Sequence, residues 1–267
     1  MSRKARFLMV APARSGSTVL RTTLNGHSEV ICHGEVLGRN RILGLVRRPE
    51  TPSGEALYRM RGESVLEFLE TGIFAPLDDA GAAGFKALYY HFGELQFAEA
   101  IDHLISSADI KIIFLWRNDL VKRALSEVQH RMMAASRDTP SVLSVERIEQ
   151  DCRNQLTCAA WLQNIFSGHP CIRISYEALV ADQQRTLDEI CEFLGVAGGA
   201  IRLPDRQGNS RSTEARRSAG IVERWRTLAG SKVPAEQECL PYPLVSNAAS
   251  LLEAEALVDY RNILPWK

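Results

Sequence analysis

Phe7-Leu8-Met9-Val10-Ala11-Pro12-Ala13-Arg14-Ser15-Gly16-Ser17-Thr18-Val19-Leu20 runs from an unbroken apolar segment, through a turn of small residues, into a stretch compatible with a helix. A buried strand, a tight turn and a helix start are the reading that fits this order. The first amides of a helix have no intrahelical partner, and the helix dipole is positive at that end, so the turn invites an anion. Gly16 lets the backbone curl closely around a phosphate. Arg14 adds a permanent charge, while Ser15, Ser17 and Thr18 bring hydroxyls to the same place. In outline the stretch is a phosphate cradle.

Outward from it, apolar runs at residues 85–89, 110–116 and 171–174 join 7–11 as four strand candidates, each followed by helix-like sequence. That alternation predicts an α/β fold with three α/β/α layers, a central parallel sheet and a P-loop-like nucleotide-binding architecture. Helices are expected over about 17–24, capped by Asn25-Gly26, over 94–106, over 145–166 and over 187–194, stopped by Gly195. Residues 35–52, 76–84 and 195–220 read as loops, and 221–228 as helical. One domain over 1–267 is the simplest description, with a core over about 5–228 and a helical C-terminal extension over 230–267.

Composition narrows the partners. Hydrophobic residues make up 45% of the 267, enough for a substantial core. Lys+Arg and Asp+Glu balance at 32 each, so there is no basic footprint for nucleic acid. No apolar run reaches transmembrane length and no signal-peptide pattern opens the chain, so a cytoplasmic location without membrane insertion is expected. The six cysteines are scattered without a C-x-x-C pair and the histidines form no metal motif, which predicts free thiols and no metal site.

A second anion site is written into Ile112-Ile113-Phe114-Leu115-Trp116-Arg117-Asn118-Asp119. Here an Arg stands at the carboxyl end of a strand, the edge at which open α/β sheets bind ligands. Asp119 is a natural N-cap, and Asp119, Arg123 and Ser126 then share one helix face. Arg117 and Ser126 could therefore clamp one phosphate from two elements.

The first loop departs from the nucleoside-triphosphatase pattern G-x-x-x-x-G-K-[ST]. Ala11 occupies the first Gly position and Ser17 the Lys position, which removes the group that reaches the β- and γ-phosphates. Pro12-Ala13-Arg14-Ser15-Gly16-Ser17-Thr18 instead resembles the 5′-phosphosulfate loop of sulfotransferases that use 3′-phosphoadenosine 5′-phosphosulfate (PAPS), with Ala13 inserted between Pro12 and Arg14. Arg117 through Ser126 resembles their 3′-phosphate site, with a spacing similar to bacterial enzymes of the trehalose 2-sulfotransferase type. Arg173-Ile174-Ser175-Tyr176-Glu177-Ala178-Leu179 and Phe193-Leu194-Gly195-Val196 also look like this superfamily and read as scaffold. Arg206-Gln207-Gly208, with Arg211 beside it, resembles the late basic loop that closes over the nucleotide.

The resemblance implies PAPS as co-substrate, a donor site of Arg14, Ser15, Gly16, Ser17, Thr18, Arg117, Ser126 and Arg206, and sulfuryl transfer to a hydroxyl of a small-molecule, carbohydrate or lipid-linked acceptor. Arg14 would stabilise charge on the 5′-phosphate. Three residues compete for the role of general base. Glu35, in Cys32-His33-Gly34-Glu35, resembles the Glu that follows the second strand in the trehalose-type enzymes, and burial would have to raise its pKa. His33 needs no such shift, and His91 could line the acceptor pocket. Lys86 is followed two positions on by Leu88, so the Lys-x-His arrangement of animal cytosolic sulfotransferases is absent. Trp116, Trp161, Trp225 and Trp266 are available for stacking on an acceptor, and Arg39, Arg41, Arg47 and Arg48 crowd the loop after Glu35. A homodimer is compatible with the sequence. The rival readings are a P-loop kinase using ATP and a nucleotide-binding module without turnover.

Overall fold

The structure, a computed structural model, describes residues 4–46, 53–75, 80–135, 142–198, 248–261 and 263. Its centre is β1 (Ala5–Ala11). Around it lie β2 (Val30–His33), β3 (Ala82–Leu88), β4 (Lys111–Trp116) and β5 (Cys171–Ser175) in the order β2-β3-β1-β4-β5, every neighbouring pair parallel. The pairing is in continuous register, with Met9 opposite both Lys86 and Ile113.

Both faces of the sheet are covered, which is why its strands read as apolar runs. Phe7, Met9 and Ala11 point to one side, where they meet Leu20 and Leu24 of α1 (Ser17–Leu24) and Leu187, Ile190 and Leu194 of α8 (Gln183–Leu194). Leu8 and Val10 point to the other side. There they meet α4 (Ala98–Ser106), α5 (Leu120–Ala134), α6 (Val145–Ile165) and the helices that follow β2: α2 (Gly54–Glu63) and α3 (Val65–Glu67), which runs into a π-helical turn. The short α7 (Tyr176–Ala181) joins β5 to α8. These are the three layers expected from the sequence.

Several sequence expectations need correction. A fifth strand, β2, lies at the sheet edge beyond the four candidates. It has four residues, too few for periodicity to separate from a turn. Residues 82–84, expected in a loop, open β3 because Gly84 and the small Ala82 and Ala83 are what fits beside β1. The helix expected over 94–106 begins with a separate 3-10 turn, Leu95–Phe97. In the C-terminal extension, helix Ala248–Glu253 and 3-10 turn Glu255–Tyr260 bury Leu251 and Leu257 in the core. The expected helix at 221–228 and the loop carrying Arg206 lie outside the described residues.

The topology also decides where a ligand belongs. From β1 the chain goes first to β2 and β3 on one side, and only later crosses to β4 and β5 on the other. The loops after β1 and β4 therefore face each other across the crevice at the carboxyl ends of the strands.

Candidate active site

The turn after β1 is shaped by two left-handed residues. Arg14 has φ +67° and Gly16 φ +86°, and Gly16 is the N-cap of α1 without any side-chain cap. Ser15 Oγ donates to the Pro12 carbonyl at 2.8 Å, which pins the turn from within. A left-handed conformation at an Arg costs energy, so the loop holds Arg14 in place at the expense of local strain. The first amides of α1 are thus free of a competing side chain, as an anion cradle requires.

The second candidate anion site meets the first directly. Arg14 Nε donates to Ser126 Oγ of α5 at 3.0 Å, and Arg117 Nη1 donates to the Arg14 carbonyl at 3.3 Å. The Arg14 guanidinium consequently lies toward Ser126. Arg123, which shares the helix face with Ser126, is buried. It donates to the Ala13 carbonyl at 3.3 Å and pairs with Asp151 of α6, while burial pushes its pKa down to about 10. Its role is to brace the loop from behind. Asp119 caps α5 by accepting from Lys122 N–H at 2.8 Å, as its sequence position predicts.

Residues expected to be scaffold turn out to hold this site. The Arg117 guanidinium lies 4.7 Å from the centre of the Tyr176 ring, a cation–π contact. Glu177 accepts from Asn118 N–H at 3.0 Å and from Asp119 N–H at 3.4 Å. Among the described residues, Arg117 Nε is buried and unpartnered. A buried guanidinium nitrogen without an acceptor fits a site made for an anion.

Glu35 follows β2, two residues beyond its last residue His33. Lys86 N–H donates to the Gly34 carbonyl, which prolongs the β2–β3 pairing past His33. Leu43 and Gly44 fold back onto Gly34 and Glu35 through backbone bonds of 3.2 and 2.8 Å. A Cβ on Gly34 would fall 2.3 Å from the Leu43 carbonyl oxygen, so only glycine permits this approach. Arg61 clamps the same loop by donating to the Val36 and Gly38 carbonyls.

The carboxylate so placed is surrounded by donors. Lys86 Nζ is 2.8 Å from Glu35 Oε1 and donates to Thr18 Oγ1 at 3.2 Å, bridging the carboxylate to the first turn of α1. Tyr90 OH donates to Glu35 Oε2 at 3.4 Å, and His91 Nε2 is 3.8 Å from the same oxygen. Burial pushes the Glu35 carboxyl up, but the Lys86 charge and hydrogen bond, with His91 and Tyr90 adding, leave it below its ordinary value. The raised pKa that a base role for Glu35 requires is not met at rest: the buried neighbour is a cation, and it prevails.

The other candidates are placed differently. His33 lies in β2, 1% exposed, and its Nδ1 accepts from Val46 N–H at 3.2 Å. Burial and the Arg21 charge push its pKa down to about 4. Its described contact ties it to the chain covering the sheet edge. Trp116 is fully buried, donating to the Ile263 carbonyl, and so is no stacking platform. Trp161 is half exposed and packs edge-on against Phe92. Arg39 is exposed beside Glu94. Arg47, Arg48, Arg206, Trp225 and Trp266 lie outside the described residues.

With this geometry in hand, comparison with known proteins is decisive over residues 7–198, which match the family described as "Sulfotransferase family". The chain belongs to the sulfotransferase family. No curated protein sequence matches this sulfotransferase. Among solved structures, it is similar to the sulfotransferase domain from the curacin biosynthetic pathway. The identity is 21% over 94% of this chain and 98% of that one, with a TM-score of 0.52, which supports the shared fold. A sulfotransferase from Alicyclobacillus acidocaldarius is 19% identical over 87% of this chain and 98% of its own, with a TM-score of 0.48. A mouse sulfotransferase complexed with PAP is 15% identical over 98% and 77%, with a TM-score of 0.41.

Tyr90, Tyr176 and Glu177 contact the candidate residues Glu35 and Arg117 and the adjacent Asn118, and sequence reasoning assigned none of them to the site. Tyr176 and Glu177 stood inside a recognised motif, so proximity of that motif to Arg117 was the missing signal. Among the described residues, no helix is long and apolar enough to cross a membrane, and the five described cysteines are free thiols.

Proposed function

We propose that this sulfotransferase moves the sulfuryl group of PAPS to a hydroxyl of a small-molecule, carbohydrate or lipid-linked acceptor, with Glu35 as general base. The observation that carries this reading is the Lys86 bridge, one cation held between Thr18 of the anion loop and the Glu35 carboxylate. Donor and acceptor chemistry need groups within reach of a single reacting centre, and this bridge joins them.

In this reading the amides at the start of α1, Ser17 and Thr18 hold the 5′-phosphosulfate. Arg117, Ser126 and Arg14 hold the 3′-phosphate, so Arg14 moves from the first phosphate to the second. The acceptor oxygen forms a bond to sulfur as the bond from sulfur to the 5′-phosphate oxygen breaks. The acceptor proton passes to Glu35, and adenosine 3′,5′-bisphosphate leaves with the electron pair of the broken bond. Lys86 and the loop amides neutralise charge developing on the leaving phosphate.

The depressed Glu35 pKa makes the resting carboxylate a weak base, so the role requires two steps. Below its ordinary value the group is ionised at neutral pH and ready to accept a proton. Lys86, which holds it down, is also the cation that an arriving phosphosulfate would engage, and sharing that charge returns basicity to Glu35.

Calorimetric titration with adenosine 3′,5′-bisphosphate, with ATP–Mg²⁺ as comparison, tests the reading. Binding of the bisphosphate in preference to ATP–Mg²⁺ is the expected result. Preference for ATP–Mg²⁺, or no binding of either, would overturn it.

A further inference from the structure

His91 sits in the 3-10 turn Tyr89–Gly93, directly after β3, and is 2% exposed. Its Nδ1 accepts from the buried Leu88 N–H at 3.1 Å. A ring nitrogen that accepts a hydrogen bond carries no proton, so the neutral ring must hold its proton on Nε2. That Nε2 is buried and has no hydrogen-bond partner among the described residues. Glu35 Oε2 is 3.8 Å away, beyond hydrogen-bonding range. The Tyr90 ring packs edge-on against the imidazole, centroids 4.6 Å apart at 81°, and limits its turning.

A buried donor that is fixed in tautomer, fixed in direction and unmet is rare in a folded protein. Here it faces the one carboxylate oxygen that Lys86 does not occupy. A hydroxyl oxygen admitted between the two groups, which requires the enclosed Nε2 to be uncovered first, would close the gap, accepting from Nε2–H and donating to Oε2. Building on the transfer reading above, we propose that His91 orients the acceptor, its Nε2–H donating to the acceptor hydroxyl oxygen while Glu35 Oε2 receives that hydroxyl's proton.

This arrangement defines an acceptor class. A donor must be met by a lone pair on the reacting atom, so a neutral hydroxyl fits and a protonated amine does not. The charged and titratable groups facing His91 are Glu35 from the loop after β2, Lys86 from β3 and Tyr90 beside it. Burial and Lys86 keep the ring neutral, pushing its pKa down to about 4 against the pull of Glu35. The Lys86 ammonium also repels a cationic nucleophile. The site is thus built for transfer to oxygen and against transfer to an ammonium nitrogen.

Two measurements on the full chain test this. The first is nitrogen NMR of the histidine rings between pH 5 and 8, with the His91 signals assigned by their loss in His91→Asn. The expected signature is a neutral ring with Nε2 protonated throughout; protonation on Nδ1, or a charged ring in that range, would overturn the inference. The second is sulfate release from PAPS labelled in its sulfuryl group, with water as the probe acceptor. Asn at position 91 retains an acceptor for Leu88 N–H but loses the distal donor. His91→Asn should lower release tenfold or more while adenosine 3′,5′-bisphosphate binds within twofold of the parent. Release unchanged in His91→Asn but lost in Glu35→Gln would remove His91 and leave the transfer reading standing. No release by the parent protein above buffer would bring down the transfer reading, and this inference with it.

Discussion

The loop after β1 and the cluster at the ends of β2 and β3 handle charge in opposite ways. The loop presents unpaired capacity: α1 has no side-chain cap, and Arg117 Nε has no partner among the described residues. The cluster is nearly closed on itself, with Lys86 and Glu35 as a buried ion pair and Tyr90 and His91 facing the second carboxylate oxygen. An anion-binding surface is completed by its ligand, whereas the carboxylate of the cluster already has its cation before any substrate arrives. The difference predicts that substitutions in the loop act on binding and substitutions in the cluster act on turnover.

Glu35→Gln is the strongest attempt to break that division. It should leave adenosine 3′,5′-bisphosphate affinity unchanged and lower turnover by about 10²–10⁴-fold, the range of a lost general base. A parallel loss of nucleotide affinity would mean that the cluster belongs to the donor site. Lys86→Met sharpens the same point through pH. The Glu35 pKa is depressed in the folded protein, so its pairing stabilises the fold above the ordinary carboxylate range, and that stability is lost as pH falls through the folded value. Without Lys86, the main opposition to burial is gone and the carboxyl moves up. The acid limb of the rate profile should therefore shift to higher pH, while the loss of stability that Glu35 contributes on acidification should disappear, which pH-dependent kinetics and chemical denaturation would measure.

On the loop side, Arg117→Ala should weaken nucleotide binding by about 1.5–3 kcal/mol, the scale of a hydrogen bond to a charged group. Calorimetry reads this directly, and unchanged affinity would remove Arg117 from the donor site. Gly16→Ala should destabilise the protein by about 1–2 kcal/mol in denaturant, because φ +86° suits glycine and strains any other residue. An alanine accepted without cost would mean that the loop relaxes freely, which the cradle model forbids.

The two regions also differed in how far the sequence revealed them. The donor loop is local: strand, turn and helix start lie within Phe7 to Leu20, and the positions of Gly16, Arg14 and the N-cap Asp119 follow from neighbours in the chain. The cluster is not local. Glu35 and Lys86 are brought together by β2–β3 pairing, and β2, implied only by the family resemblance, was too short to be read from periodicity. Its reversal of the expected Glu35 pKa shift follows from the same cause, since burial could be foreseen but the buried cation beside it could not. Tyr176 and Glu177 repeat the lesson: their motif was visible, but their contact with Arg117 and Asn118 depends on β4–β5 register. Periodicity reports what each residue buries, and only topology reports what it meets.

The smallest expected effect bears on the seam between the two phosphate positions. Ser126 Oγ accepts from Arg14 Nε, so one hydroxyl links the loop to α5. Ser126→Ala should weaken adenosine 3′,5′-bisphosphate by less than Arg117→Ala does, because one hydroxyl hydrogen bond is lost and no charge is removed. Adenosine 5′-monophosphate, which lacks the 3′-phosphate, should be affected less. Equal weakening of both ligands would return Arg14 to the 5′-phosphate, with Ser126 acting only to aim it. A loss confined to the bisphosphate would place Arg14, Arg117 and Ser126 around one phosphate. A double-mutant cycle of Ser126→Ala with Arg117→Ala should then be non-additive, because both groups would share one ligand oxygen cluster.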